Sequence, residues 1–160
     1  MKPIANPYVG RETYHCFACS PDHPFGLRMR FFQDGDEVVC RWQPRADLEG
    51  YSGVLHGGVQ TALMDEIASW WIFVNRGTAG ATARLEVDFK RPVLTEKGEV
   101  TLRASLAGTA DHLVTVRVVL TDSAGKLCTE GRVTYFTYPP SLARRRLGYP
   151  GQESFVGKSC

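Results

Sequence analysis

One carboxylate, Asp65, lies in a part of the sequence where a charge is unexpected. The stretch 57–74 has no proline and is rich in Ala, Leu, Met, Ile and Trp, which predicts a long helix that is apolar on almost every face. Other elements must cover such a helix. An unpaired carboxylate buried with it would lower the free energy of unfolding by several kcal/mol. Asp65 is therefore either held by a backbone amide or an arginine for structural reasons, or kept for chemistry. For the adjacent Glu66 we favour the structural role.

The start of the same stretch offers a second chemical group. Gly57 and Gly58 at the beginning of a helix would expose backbone N–H groups, unobstructed by side chains, at the positive end of the helix dipole. Donors fixed in this way can form an oxyanion hole for a carbonyl that becomes tetrahedral, and tight packing at the helix start is the alternative. The preceding His56 can be a packing residue, a substrate-orienting group or an acid/base.

The distance between these two groups predicts a quaternary structure. Eight residues of helix, at about 1.5 Å each, separate Gly57 from Asp65 by roughly 12 Å, so one carbonyl cannot use both. If they serve one active site, one subunit supplies the hole and another the carboxylate, which requires two helices packed antiparallel across a two-fold axis. The sequence therefore predicts a homodimer. Small residues one turn from Asp65 permit the approach: Thr61, Ala62, Ala68 and Ser69.

The cysteines are scattered along a chain of 160 residues that is long enough to bury a core without disulfides. Cys16 and Cys19, with His23 shortly after, have the spacing of half a zinc site, but no second Cys-x-x-Cys or His-x-x-x-His pair supplies the other half. We therefore expect neither a metal nor a redox cofactor. Reduced thiols are expected at all five positions: Cys16, Cys19, Cys40, Cys128 and Cys160.

Alternating apolar and polar residues predict the strands that position these groups. A hairpin is expected before the helix, and four strands with short, antiparallel connections are expected after it. This order indicates an α+β hotdog fold, in which a curved antiparallel β-sheet is wrapped around one long central helix. The predicted strands are 26–32, 37–42, 83–90, 100–107, 113–120 and 133–138.

Composition divides the chain into three parts. We expect an N-terminal arm at 1–25, one domain at 26–138, and a flexible C-terminal tail at 139–160 in which the arginines at 144–146 are solvated.

The formal net charge of +2 is too small to indicate a protein that binds nucleic acid. No apolar run approaches a membrane span or the core of a signal peptide. A cytoplasmic enzyme or binding protein fits these features best.

The residues around the helix start resemble a known family. The stretch 53–66, Gly-Val-Leu-His-Gly-Gly-Val-Gln-Thr-Ala-Leu-Met-Asp-Glu, is similar to the signature of PaaI-like hotdog thioesterases. The stretch 16–27 is similar to the Cys-x-x-Cys-Gly-x-x-Asn-Pro-x-Gly-Leu opening of one branch, with Ser20 and His23 in place of the glycine and the asparagine. The resemblance extends over residues 14–138.

This resemblance implies roles for individual residues. Asp65 would act as general base on water or as nucleophile, while the amide of Gly57 would receive the thioester oxygen. His56 would help to orient that carbonyl, and Gly58 would bind substrate beside it. Thr82 falls where relatives carry a serine or threonine that positions water or the carboxylate.

The resemblance also implies a substrate and an assembly. The substrate would be an acyl-CoA thioester, split into free acid and thiol without a metal or redox cofactor, in a homodimer that can pair further into a tetramer. Arg91 lies near where some hotdog enzymes meet coenzyme A phosphates, although an arginine at a strand edge is more often simply solvated. No nucleic-acid or membrane partner is implied. Core packing or a surface for the acyl group would account for Phe31, Trp70, Trp71 and Phe73.

Two other functions stay open at this point. A hotdog dehydratase or hydratase commonly uses a histidine with a carboxylate, and His56 with Asp65 could qualify, although the adjacent glycine pair favours acyl transfer. A non-catalytic acyl-CoA-binding protein would keep the pocket without the chemistry.

Overall fold

A computed structural model describes residues 1–156 of the chain. Two helices occur in this part, α1 (Gly57–Asn75) and α2 (Pro140–Leu147). The strands of the same part are β1 (Lys2–Pro3), β2 (Phe32–Asp34), β3 (Glu37–Trp42), β4 (Glu49–Tyr51), β5 (Val54–Leu55), β6 (Gly80–Phe89), β7 (Val100–Ala110), β8 (Leu113–Thr121) and β9 (Leu127–Thr137). Neither helix is both long and apolar enough to cross a membrane.

The predicted architecture, a curved antiparallel sheet around one long helix, is confirmed. Seven strands form an antiparallel sheet in the order β1-β2-β3-β7-β8-β9-β6, and α1 packs against β3, β7, β8, β9 and β6. Alternate residues of β8 are buried beneath α1, and the helix buries Leu63, Met64 and Ile67 completely. Burial of each such side chain contributes about 1.5–3 kcal/mol to the free energy of unfolding. The packing of α1 against the sheet is therefore a large part of the core.

The first half of the predicted hairpin is wrong. The strand expected at 26–32 is reduced to β2, because Arg28 adopts a φ of 54° that interrupts an extended strand. The N–H groups of Leu27 and Met29 donate instead to the carbonyls of Phe17 and Ala18, both at 2.9 Å. The alternating apolar residues of this segment are buried, but they attach the N-terminal arm rather than pair with β3.

The expectation of a flexible tail is wrong for residues 140–156. This segment forms α2 and then buries Tyr149 and Phe155. The Phe155 ring stacks on Phe73, with centroids 5.3 Å apart, and meets the edge of Trp70 at 5.5 Å. Glycine, proline and charge dominate the composition of the tail, yet two aromatic anchors are enough to dock it. Residues 157–160, which include Cys160, lie outside the described part.

The large aromatic residues of α1 belong to the core. Trp70 is 1% exposed and stacks on Phe31 with ring centroids 4.4 Å apart, and Trp71 is also buried. Of the two roles expected for these side chains, core packing is therefore the one that the structure supports.

Candidate active site

The small hairpin of β4 and β5 delivers the chain to the start of α1, where His56 is the N-cap. The Nδ1 atom of His56 accepts a hydrogen bond from the N–H of Gly58 at 2.8 Å. A Cβ on Gly58 would lie 3.1 Å from this nitrogen, so glycine allows the close cap. Because Nδ1 accepts here, the ring carries its proton on Nε2 and can act only as a donor from that side.

This cap changes the predicted oxyanion hole. Both glycine amides were expected to be free, and this is wrong for Gly58, whose N–H is already used by His56. The N–H of Gly57 has no hydrogen-bond partner among residues 1–156. It stands at the first position of α1, where the helix dipole favours negative charge. One fixed donor is therefore available instead of two.

A cavity of about 450 Å³ opens at this donor. His56, Gly57 and Arg91, three of the residues predicted to contact substrate, line this cavity together. Lys90 also lines it, a second basic residue that the sequence analysis did not single out. The N–H groups of Lys90 and Arg91 both donate to the carbonyl of Cys128, at 2.8 and 3.0 Å, which fixes the turn at the end of β6. The volume lies in the range of small-molecule sites.

Asp65 is half-buried in the middle of α1 and is held by two hydroxyl groups. Its Oδ1 accepts hydrogen bonds from Thr82 Oγ1 at 2.9 Å and from the Tyr135 hydroxyl at 2.7 Å. The Oδ2 atom has no partner among the described residues. The predicted proximity of Thr82 is therefore present, and one carboxylate oxygen is left for a water or a substrate.

Tyr135 was missed by the sequence analysis. Burial, and secondarily the charge of Asp65, raise the pKa of Tyr135, so the phenol stays protonated and donates to Asp65 at any ordinary pH. Its place on β9 carried a signal: the inward positions of that strand include Val133 and Tyr135, and a buried tyrosine needs a partner for its hydroxyl.

Within one chain, the donor and the carboxylate belong to two separate places. Neither Asp65 nor Thr82 is among the described residues that line the cavity of Gly57. This separation agrees with the helical distance of roughly 12 Å between them. One chain thus presents two separate groups, a donor with basic neighbours and a carboxylate with hydroxyl neighbours.

Glu66 belongs to a different group of side chains, on the other side of α1. The residue is half-buried, and Oε1 accepts hydrogen bonds from Trp70 Nε1 at 2.9 Å and Cys16 Sγ at 3.5 Å. Burial raises the pKa of this carboxyl. The sulfur atoms of Cys16 and Cys19 lie 2.7 Å apart beside it. Of the potential metal ligands among residues 1–156, only this set of three converges on one point.

Comparison with known proteins finds similarity over part of the chain. Residues 52–129 match the model of the thioesterase superfamily. Acyl-coenzyme A thioesterase THEM4 of Bos taurus is 38% identical over 72 residues, which are 42% of this chain and 28% of that protein. The chain spans 28% and 61% of the lengths of two curated relatives that it matches.

Solved structures share the fold. The Escherichia coli PaaI protein is 17% identical with a TM-score of 0.63, and the match covers 71% of this chain and 82% of that one. The smu.793 protein of Streptococcus mutans, bound to acetyl-CoA, is 15% identical with a TM-score of 0.63, covering 70% and 90%. These structures confirm the predicted hotdog fold. The match of residues 52–129 to the thioesterase superfamily agrees with the resemblance predicted from the sequence.

Proposed function

We propose that this chain, a member of the thioesterase superfamily through residues 52–129, hydrolyses an acyl-CoA thioester to a free acid and a thiol. The observation that carries the proposal is the unpartnered Gly57 N–H at the mouth of a cavity, matched by an Asp65 carboxylate with one unpartnered oxygen. An acyl-transfer site needs these two groups, a donor for the oxyanion and a base or nucleophile for the carbonyl.

The active site is proposed to form between two copies of the chain. Strand β6, which carries Thr82, is the edge of the large sheet, and its outer edge is unpaired within the described residues. Long unpaired edges are usually covered in native proteins. Phe89 on β6 is 54% exposed and Phe136 on the neighbouring β9 is 43% exposed. Packing of two such edges across a two-fold axis would bring the Gly57 N–H of one subunit to the Asp65 of the other.

The chemistry follows from these two groups. Water attacks the thioester carbon while Asp65 accepts its proton, the carbonyl oxygen becomes negative beside the Gly57 N–H, and the C–S bond then breaks as the thiolate leaves and gains a proton. The alternative has Asp65 attack directly to form an anhydride, which water hydrolyses. In both routes a fixed donor stabilises the oxyanion by about 2.7–4 kcal/mol, and no metal or redox cofactor takes part.

The basic residues at the cavity support coenzyme A as the thiol portion. Lys90 and Arg91 lie at the end of β6 beside Gly57, where they could meet phosphate groups. A protein of the same fold is bound to acetyl-CoA, which supports the same class of ligand here. His56 would orient the thioester carbonyl through its Nε2–H.

The hydratase alternative is disfavoured by the histidine. A general base must accept a proton, whereas Nδ1 of His56 accepts the helix-cap hydrogen bond and Nε2 already carries the ring proton. The non-catalytic alternative keeps the cavity but gives no role to the hydroxyl pair that holds Asp65.

The test is a thiol-release assay over short, medium, long and aromatic acyl-CoAs, with the wild-type chain beside Asp65→Asn. Asparagine keeps the acceptor for Thr82 and Tyr135 but cannot take a proton, so we expect turnover to fall at least about 100-fold. Asp111→Asn, in the exposed turn between β7 and β8, is the matched control and should retain wild-type rates. Equal rates for Asp65→Asn and the wild type would exclude Asp65 from the reaction, and hydration of enoyl-CoA without thiol release would favour the hydratase.

A further inference from the structure

The cluster on the arm side of α1 brings together three groups that can each lose a proton. Glu66 is half-buried, and two thiols of the N-terminal arm, Cys16 and Cys19, lie against its carboxyl. No lysine or arginine of residues 1–156 forms a salt bridge with Glu66. A carboxyl that is partly removed from water and has no paired charge either keeps its proton or meets a cation.

The chemical types in the cluster are those of a transition-metal site. One ligand atom from each residue lies within 4.8 Å of the others. Thiolate sulfur with a carboxylate oxygen is a ligand set that Zn²⁺ accepts, and hard cations such as Mg²⁺ and Ca²⁺ do not take thiolates. The side chains come from two elements far apart in sequence, so the second half of the site lies on α1 and not in another cysteine pair.

We propose that Cys16, Cys19 and Glu66 form a zinc-binding site that ties the N-terminal arm to helix α1. Zinc displaces the protons of the two thiols, and that of the Glu66 carboxyl where it is protonated, to solvent and leaves one coordination position for water. A cavity of about 520 Å³ that includes all three residues gives that water access. The site is separate from the proposed chemistry, because Asp65 forms its hydrogen bonds with β6 and β9 instead.

A tetrahedral ion requires small movements of the cysteine pair. Zinc bonds of about 2.3 Å to sulfur and 2.0 Å to oxygen place sulfur and oxygen roughly 3.5 Å apart, and Cys16 Sγ lies 3.5 Å from Glu66 Oε1. Two sulfur ligands need a separation of roughly 3.7 Å, so the thiols must part from their present 2.7 Å while Cys19 stays within reach of Glu66. Cys16 is half-buried and directly precedes the turn at 17–19, which allows these movements.

The arm already directs a backbone donor at one of the sulfur atoms. The N–H of Cys19 donates to Cys16 Sγ at 3.0 Å. A hydrogen bond of this kind stabilises a thiolate more than a neutral thiol.

The experiment uses the full chain, purified under reducing conditions, stripped with a chelator and reloaded with zinc chloride. Bound zinc is counted by mass spectrometry after desalting, and affinity is measured by competition with a chromophoric chelator. We expect one zinc per chain. Cys16→Ser should lose this zinc, and Glu66→Gln, which keeps the acceptor for Trp70, should bind at least about 10-fold more weakly. Cys128→Ser, a buried cysteine on β9, is the matched control and should bind like the wild type.

Two further measurements distinguish a zinc ion held by these thiolates from zinc adsorbed elsewhere on the surface. Cobalt substitution should give thiolate-to-metal charge-transfer absorption in the wild type and not in Cys16→Ser. Added zinc should raise the Tm of the wild type, because it binds only the folded state, and leave the Tm of folded Cys16→Ser unchanged. The proposal is overturned if the reduced chain retains no zinc, if Cys16→Ser binds it equally, or if purified protein holds a Cys16–Cys19 disulfide that reduction does not convert to a zinc site.

Discussion

Asp65 and Glu66 are neighbouring carboxylates on one helix, and the fold gives them opposite surroundings. Asp65 faces the edge of the sheet, where two hydroxyl groups hold one oxygen and the other oxygen is unpartnered. Glu66 faces the N-terminal arm, where thiols and an indole surround it and burial raises its pKa. The comparison teaches that the role of a carboxylate on a buried helix is set by the element that covers it.

The largest expected effect comes from removing the donor that Asp65 is proposed to work with. Gly57→Pro removes the unpartnered N–H with little backbone change, because proline suits the first helical position and His56, with ψ at 134°, is already extended as a residue before proline must be. Its Cβ would lie 3.4 Å from the Phe89 ring, a contact that Gly57→Ala shares. We expect kcat/KM for acyl-CoA to fall about 100- to 1,000-fold with an unchanged circular dichroism spectrum. Gly57→Ala keeps the N–H and is the control. A proline variant with near wild-type activity would remove Gly57 from the mechanism.

Mixing two inactive variants tests whether Asp65 works across a subunit boundary. A dimer of Gly57→Pro with Asp65→Asn has one site with both defects and one site with neither. After refolding an equal mixture, half of the dimers are mixed, so the sample should recover about a quarter of wild-type activity. Each variant refolded alone provides the baseline. A mixture no more active than that baseline would place both groups in one chain and contradict a site shared between two subunits.

The hydroxyl groups around Asp65 should have a smaller effect. Tyr135→Phe removes a hydrogen bond to a charged group, which is commonly worth about 1.5–3 kcal/mol, so we expect a loss of roughly 10- to 100-fold in kcat. Tyr138→Phe is the control on the same segment and should keep the wild-type kcat. An equal loss of kcat in both variants would indicate a packing role for Tyr135.

The smallest effect concerns the stability of the metal-free chain. Since burial raises the pKa of Glu66 in the folded state, its contribution to stability is complete at pH values below the unfolded pKa and is lost as the pH rises through the folded pKa. In the presence of a chelator, Glu66→Gln should therefore gain in Tm over the wild type by a few degrees between about pH 5 and pH 8. Glu96→Gln, on an exposed side chain, is the control. A constant difference across this range would mean that Glu66 stays neutral throughout.

The sequence predicts the central helix and its contact with β6 better than it predicts the N-terminal and C-terminal segments. The helix expected at 57–74 is found at Gly57–Asn75, because a long proline-free apolar run has few other conformations. The Thr82 contact with Asp65 was also anticipated, through the family resemblance. Local pattern could not anticipate that His56 would take the Gly58 N–H, since that depends on the ring rotamer at the cap.

Contacts between distant segments account for the remaining differences. Tyr135 reaches Asp65, and Glu66 reaches the cysteine pair, only after the strands and the arm have closed around α1. The docking of Phe155 also depends on a distant contact. Its ring packs on Phe73 and holds the C-terminal segment in place, although the composition of that segment is typical of disorder. Periodicity detects neighbours along an element and carries no information on these pairs.

The docked C-terminal segment also joins the two ends of the described chain. The N–H of Ala5 donates to the carbonyl of Phe155 at 2.9 Å, and Tyr8 meets the edge of the Phe155 ring with centroids 5.9 Å apart. Both segments shield the same aromatic cluster around Trp70, so trimming either one would unseat the other, and the two truncations should not be additive. For the same reason, a short linker between these ends, with new termini opened in the β7–β8 turn, should give a circular permutant that still folds.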